Sequence, residues 1–194
     1  MLLKIEDSIN KLIDGVGVIA GMLLIILVLV ISYNVVGRYA FGISSVALEE
    51  FSWHLYSSLF LLGISYALRT ESHVRVDIIF ENLSIKTQSI INVVGSLIAL
   101  FPLCLIVIYY GWGFMMDSYQ LGSHPDTIFG WLQQFFTTGI GEKSSDPGGL
   151  LNRFIIRGMI PLSFLLLALS TVSFFLKNLN IIMGQSKEVS GATP

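Results

Sequence analysis

The sequence predicts an all-α, polytopic membrane protein. Four transmembrane helices are expected, with a long outer loop that contains a short amphipathic helix. Two observations carry this expectation. Of the 194 residues, 54% are hydrophobic and only 12% are charged, a balance foreign to ordinary soluble domains. The apolar residues also gather into four runs, at 16–31, 48–68, 90–110 and 154–176. Each run is close to the ~20 residues an α-helix needs to cross a ~30 Å hydrocarbon core.

Three regions follow: an N-terminal amphipathic segment at 1–14, a four-helix transmembrane domain at 15–180, and a polar C-terminal tail at 181–194. In the first, Leu2, Ile5, Ile9, Leu12 and Ile13 recur at helical spacing, with Lys4, Glu6, Asp7, Lys11 and Asp14 on other faces. This fits either a helix on the membrane surface or an extension of the first span. The first run exceeds the ~7–15 residues of a signal-peptide core, and an uncleaved anchor is expected. Gly17 and Gly21 within it have the spacing that permits close helix approach in lipid.

The first loop, at 37–47, holds Arg38, Gly42 and two serines. The second run opens on Glu49-Glu50, includes Trp53 and His54, and ends at Arg69. A charged connector at 70–87 carries Glu71, His73, Arg75, Asp77, Glu81 and Lys86. After the third run comes the long loop, at about 113–153. In it Ile128, Trp131, Leu132, Phe135 and Phe136 recur at helical spacing, separated by Gln133 and Gln134. A short amphipathic helix at an interface is expected there. Residues 139–151 contain Gly141, Asp146-Pro147 and Gly148-Gly149, a turn-rich stretch. No internal repeat is visible, which counts against the inverted-repeat architecture of a self-sufficient secondary transporter.

Several function classes are set aside by residue type. The single cysteine, Cys104, has no partner for a disulfide or a dithiol redox pair. Of the three histidines only His54 falls in an apolar run, so paired axial ligands for haem are not expected. No zinc spacing, phosphate loop or nucleophile motif occurs, and no basic stripe suits nucleic acid. An enzyme is not expected, nor is a cofactor or a bound metal.

The charged residues at the helix ends are the candidates for function. Glu50 and His54, four apart, share a helix face with Ser57, Ser58, Leu61 and Ser65. One reading of that face is an ion or proton site, since an ionisable residue within a membrane invites it. The other is a docking surface against a neighbouring helix. One carboxylate and one imidazole make a poor cation cage, which favours docking. Arg153 and Arg157, also four apart, begin the fourth run on the same side as Glu49 and Glu50. They either pair with those glutamates or snorkel to lipid phosphates.

Leu48-Glu49-Glu50, the later stretch Leu62-Gly63-Ile64-Ser65-Tyr66-Ala67-Leu68-Arg69 and then His73-Val74-Arg75-Val76-Asp77 together resemble the small integral-membrane (Q-type) subunit of tripartite ATP-independent periplasmic (TRAP) transporters. Arg38-Tyr39-Ala40-Phe41, and Asp146-Pro147-Gly148-Gly149 followed by Arg153, Arg157 and Ile160-Pro161-Leu162, suit the same pattern. Ser72 stands before His73 where that family often has glycine.

The resemblance implies a small scaffold subunit of a sodium-coupled, binding-protein-dependent secondary transporter for organic acids. Its partners would be a large multi-span permease subunit, an extracytoplasmic substrate-binding protein and the lipid bilayer, with no nucleic acid. Glu49, Glu50, His54, Arg69, His73, Arg75, Asp77, Arg153 and Arg157 are then expected to be interface or structural residues. Two alternatives from other classes are a membrane adaptor or assembly subunit of another complex, such as a respiratory one, and a small channel.

Basic residues set the expected orientation. With four spans, Lys4, Lys11, Arg69, Arg75, Lys86, Lys177 and Lys187 share one side, and Arg38, Lys143, Arg153 and Arg157 the other. Both termini are therefore expected inside and the long loop outside; the resemblance implies a bacterial inner membrane, which makes the inner side the cytoplasm. In a Cys104→Ala background, Ser145→Cys should react with an impermeant thiol reagent applied from outside. Lys187→Cys should stay unlabelled until the membrane is permeabilised, and outside labelling at that position would reverse the topology.

Overall fold

The computed structural model describes residues 2–70, 80, 82–122 and 124–184. The described residues form helices and connecting turns, without a β-strand. Five helices follow in order: α1 (Leu2–Phe41), α2 (Val46–Arg69), α3 (Ile85–Gln120), α4 (Ile128–Thr137) and α5 (Phe154–Ile182).

Three of these are long and apolar enough to cross a membrane: α1 over Ile5–Phe41, α3 and α5. The sequence reading expected four. The exception is α2, which has the length, at 24 residues, but carries Glu49, Glu50, His54 and serines at 52, 57, 58 and 65. α1 is a single helix of 40 residues, ~60 Å long at 1.5 Å per residue. The amphipathic residues that follow Leu2 thus continue directly into the first apolar run. No charged residue stands between Asp14 and Arg38.

The connection from α1 to α2 is tighter than expected. It occupies only residues 42–45, with Gly42 at φ 67°. Such a positive φ favours glycine, which has no Cβ to clash. The Ile43 amide donates to the Gly37 carbonyl at 3.0 Å. Ser45 then caps α2, its hydroxyl accepting the Leu48 amide at 3.4 Å. α3 begins earlier than its apolar run, at Ile85, under a matching cap from Ser84 to the Thr87 amide. Its continuity is interrupted by a π-helical turn, Ser96–Leu100, in which the Phe101 amide reaches back to the Ser96 carbonyl. Pro102 follows at once. Its ring would crowd a regular α-turn and it offers no amide, so the wider turn sits where the ladder is weakest.

α5 is the hub. It packs on α1, α2 and α3, and α1 pairs further with α2. Of the most apolar window in each spanning helix, 39% is buried in α5, against 17% in α1 and 11% in α3. Two small apolar clusters mark the contacts. Leu68, Cys104, Leu167 and Phe174 join α2, α3 and α5. Val16, Ala20 and Leu62 join α1 to α2. The thiol of Cys104 is enclosed in the first cluster as a packing group.

Small residues bring the helices close at chosen points. A Cβ on Gly17 would run into the Tyr66 ring of α2, whereas Gly21 faces open space. Among the described residues, only Gly17 of these two glycines meets a neighbouring helix. Gly111 of α3 lies against Ile160 and Pro161 of α5, where a Cβ would come within 3.3 Å of each.

Side-chain hydrogen bonds complete the bundle. From α5, Ser170 donates to the Ser65 carbonyl of α2 at 3.0 Å, and Ser173 donates to Asn10 Oδ1 of α1 at 2.7 Å. Asn178 Oδ1 accepts from Asn92 Nδ2 of α3 at 2.9 Å, and Asn180 Nδ2 reaches Glu6 at 3.4 Å. Each of the three neighbouring helices is thus tied to α5 by at least one polar contact. Bonds of this kind average about 0.6 kcal/mol in membrane bundles, and hold register as much as they add stability.

Gly17→Val should destabilise the purified chain by about 1–3 kcal/mol, the range for overpacking a close contact. Gly21→Val should stay within about 0.5 kcal/mol. Denaturant unfolding of both variants in one detergent provides the check, and equal effects would deny the Gly17–Tyr66 contact its role.

Candidate functional site

The chemistry-bearing residues of the described chain collect at the two ends of the helix bundle. At one end α2 begins, α3 finishes and α5 starts, and residues 138–153 bridge them. This stretch folds through three positive-φ glycines, Gly139, Gly141 and Gly148. Gly141 is needed for more than its φ of 69°, because a Cβ there would lie 2.5 Å from the Ser118 carbonyl oxygen and 3.1 Å from Tyr119 Cα. The loop can approach the end of α3 only without a side chain at this position.

Glu142 follows and acts as a junction. Its amide donates to the Ser118 carbonyl at 2.8 Å, and its carbonyl accepts the Arg153 amide at 3.0 Å. Its carboxylate meets Arg157 at 2.5 Å and Arg153 at 3.8 Å. The Arg157 guanidinium also stands 4.1 Å above the centroid of the Phe114 ring, a cation–π contact with α3. Both arginines singled out in the sequence are thus brought together, on Glu142. The sequence leaves them between pairing with Glu49 and Glu50 and snorkelling to lipid phosphates, and the structure gives both Glu142 instead.

Glu50 has a different task. One carboxylate oxygen accepts the Ser144 hydroxyl and the other accepts the Leu150 amide at 2.6 Å. The loop is closed on itself between the same two residues, with the Ser144 amide donating to the Leu150 carbonyl at 3.0 Å. Glu50 therefore clasps both sides of the loop from the first turns of α2. His54, one turn along, donates from Nδ1 to the backbone carbonyl of Glu50 at 2.7 Å. A carbonyl can only accept, so this contact places a proton on Nδ1. Glu49 remains exposed.

Asn152 completes the cap. It takes a left-handed φ of 59°, which Asn tolerates better than most residues. Its Oδ1 accepts the amide of the fully buried Ile140 at 2.6 Å, and its Nδ2 donates to the Phe135 carbonyl at 3.0 Å. The second bond fixes the end of α4 to the cap. α4 itself exposes Ile128, Phe129 and Phe136, with Trp131 stacked on Phe135.

At the opposite end, Arg69 closes α2 and lies 3.7 Å from Asp14 of α1. With side chains 35% and 51% exposed, this pair is worth at most ~1 kcal/mol. His73, Arg75 and Asp77 lie outside the described residues. Among the described residues no three His, Cys, Asp or Glu side chains converge as metal ligands.

Several participants were not singled out in the sequence. Glu142, Ser144 and Asn152 stand in a loop whose glycines announced turns but not partners. Asn10, Asn92, Asn178 and Asn180 carried a legible signal, since an amide in or beside an apolar helix needs a partner.

The family model for the DctQ component of tripartite ATP-independent periplasmic transporters matches residues 27–180. The chain belongs to this family. The matched stretch starts within α1 and takes in α2, α3, the cap and nearly all of α5. A curated relative, the C4-dicarboxylate TRAP transporter small permease protein DctQ of Pseudomonas aeruginosa, is 26% identical over 131 residues. That alignment takes in 64% of this chain and 53% of the relative, so the chain spans about half the length of the curated relative it matches. As a DctQ-family chain with three helices long and apolar enough to cross a membrane, this is a membrane protein.

Glu50→Ala would leave the Leu150 amide without its acceptor, a loss of about 1–3 kcal/mol for a partly buried group. Amide exchange across residues 144–150 should then accelerate about tenfold or more. Glu50→Gln should do less, because its carbonyl oxygen still accepts one bond. Exchange rates unchanged in Glu50→Ala would mean that the cap is held by its other contacts alone.

Proposed function

We propose that the chain is the small scaffold subunit of a sodium-coupled, binding-protein-dependent secondary transporter for organic acids. The observation that carries this reading is the family match across residues 27–180. The organic-acid class is suggested by the relative, whose name assigns it to C4-dicarboxylate transport. The large permease subunit would hold the substrate and sodium sites. The extracytoplasmic binding protein would deliver substrate to it, and this chain would supply a fixed wall beside the moving parts.

The geometry supports the scaffold reading. α5 is tied to three helices by side-chain hydrogen bonds, and the cap is fastened by Glu50, Glu142 and Asn152. A support should be cross-braced at both ends.

In this reading α2 is a fourth span. Its 24 residues give ~36 Å of helix, and its polar start sits at headgroup depth under the cap. α4, with its exposed aromatic residues, lies along the outer interface. The protein sits in the bacterial inner membrane, both termini in the cytoplasm. Residues 1–14 and 181–194 flank the 15–180 transmembrane unit. Glu49, Glu50, His54, Arg69, His73, Arg75, Asp77, Arg153 and Arg157 then serve the partner interface or hold the fold that presents it.

The test is reconstitution. The chain should copurify with a large permease subunit, and proteoliposomes should take up substrate only when both are present with the binding protein. Robust uptake with this chain alone would overturn the scaffold assignment. Glu50→Gln should leave the sodium requirement of the assembled transporter unchanged. A shifted requirement with intact assembly would turn the Glu50–His54 face into an ion pathway.

A further inference from the structure

A groove of about 260 Å³ runs between α1 and α2 at the end where the two helices connect. Its lining changes character along its length. Leu27, Ile31 and Val35 of α1 form an apolar wall, and Asn34, Arg38, Glu49 and Ser52 bring polar groups toward the connection. Trp53 and Tyr56 of α2 flank the opening and are 64% and 52% exposed. From Leu27 to Arg38 α1 rises ~16 Å, about half of a ~30 Å hydrocarbon core. The groove is therefore apolar over one leaflet's depth and charged at one end.

Two charges of opposite sign stand at that end. Arg38 and Glu49 are both exposed, and among the described residues neither takes part in an ion pair. A guanidinium suits a phosphate through paired N–H donors. A carboxylate one helix away suits a primary ammonium, which carries three donors of its own. Tryptophan and tyrosine beside them favour headgroup depth.

We propose that this groove binds one zwitterionic phospholipid with a primary ammonium, of the phosphatidylethanolamine class. Arg38 holds its phosphate, Glu49 holds its ammonium, and one acyl chain lies along Leu27, Ile31 and Val35. The match is to charge order as well as to shape. Phosphatidylglycerol would satisfy Arg38 but offer Glu49 neutral hydroxyls in place of an ammonium. A choline headgroup would bring a cation without N–H donors. The site goes beyond the scaffold reading and does not depend on which subunits the chain joins.

Native mass spectrometry of the full chain in detergent, with added dioleoyl phosphatidylethanolamine, phosphatidylcholine or phosphatidylglycerol, tests it. Phosphatidylethanolamine should be retained about tenfold better than either competitor, as one charge-assisted hydrogen bond allows. Glu49→Gln should remove the preference over phosphatidylcholine. Arg38→Gln should weaken both zwitterionic lipids about tenfold, while Arg38→Lys keeps most binding. Both residues are exposed and make no ion pair among the described residues, and an unfolding midpoint matching that of the unsubstituted chain checks that each variant keeps its fold. Equal retention of the three headgroups, a preference for phosphatidylglycerol, or retention unchanged in both Glu49→Gln and Arg38→Gln would overturn the site. So would crosslinking of Ile31→Cys to a helix of a partner subunit in an assembled transporter that retains no lipid.

Discussion

Helices surrounded by hydrocarbon gain little from burying apolar surface against one another, because the lipid is as apolar as the side chains it would replace. Close packing and hydrogen bonds must hold such a bundle, and here both converge on α5. Its serines and asparagines form bonds to α1, α2 and α3. Its Ile160 and Pro161 stand where a Cβ on Gly111 of α3 would come within 3.3 Å of each. The other helices are arranged around this one. That explains why α5 buries the largest share of its apolar window while α1 and α3 present most of theirs outward.

α2 poses the complementary problem. It starts with two carboxylates and an imidazole, groups that are costly to leave against lipid. The loop at 138–153 resolves this for Glu50 by offering a hydroxyl and an amide. The two arginines at the start of α5 share the single carboxylate of Glu142. Glu50, Arg153 and Arg157 thus each find a local partner, and those partners also define the path of the loop. The left-handed Asn152 and the glycine at 141 make that path sterically possible.

The chain is a member of the DctQ family, and in the proposed scaffold role this construction would stand beside a moving permease subunit. A chain braced in this way is suited to keep its shape while another subunit moves. The charges left exposed, Glu49 and Arg38 among them, are free to meet lipid or protein beyond the chain itself.

The sequence by itself determined the helical class, the membrane setting and the approximate position of each described helix. Each follows from the apolar content and its periodicity, which are local quantities. It also marked Glu50, Arg153 and Arg157 as residues needing partners, since charge beside an apolar run is costly wherever the chain goes. Only the tertiary structure decided who those partners are. Glu50 reaches residues about a hundred positions away, at Ser144 and Leu150. Arg157 selected Glu142 over Glu49 because the Gly141 turn brings that carboxylate to the start of α5. Gly17 and Gly21 look alike in sequence, yet only Gly17 faces a neighbouring ring. Which face of a helix meets which neighbour is set by packing across the whole bundle, and no local pattern encodes it.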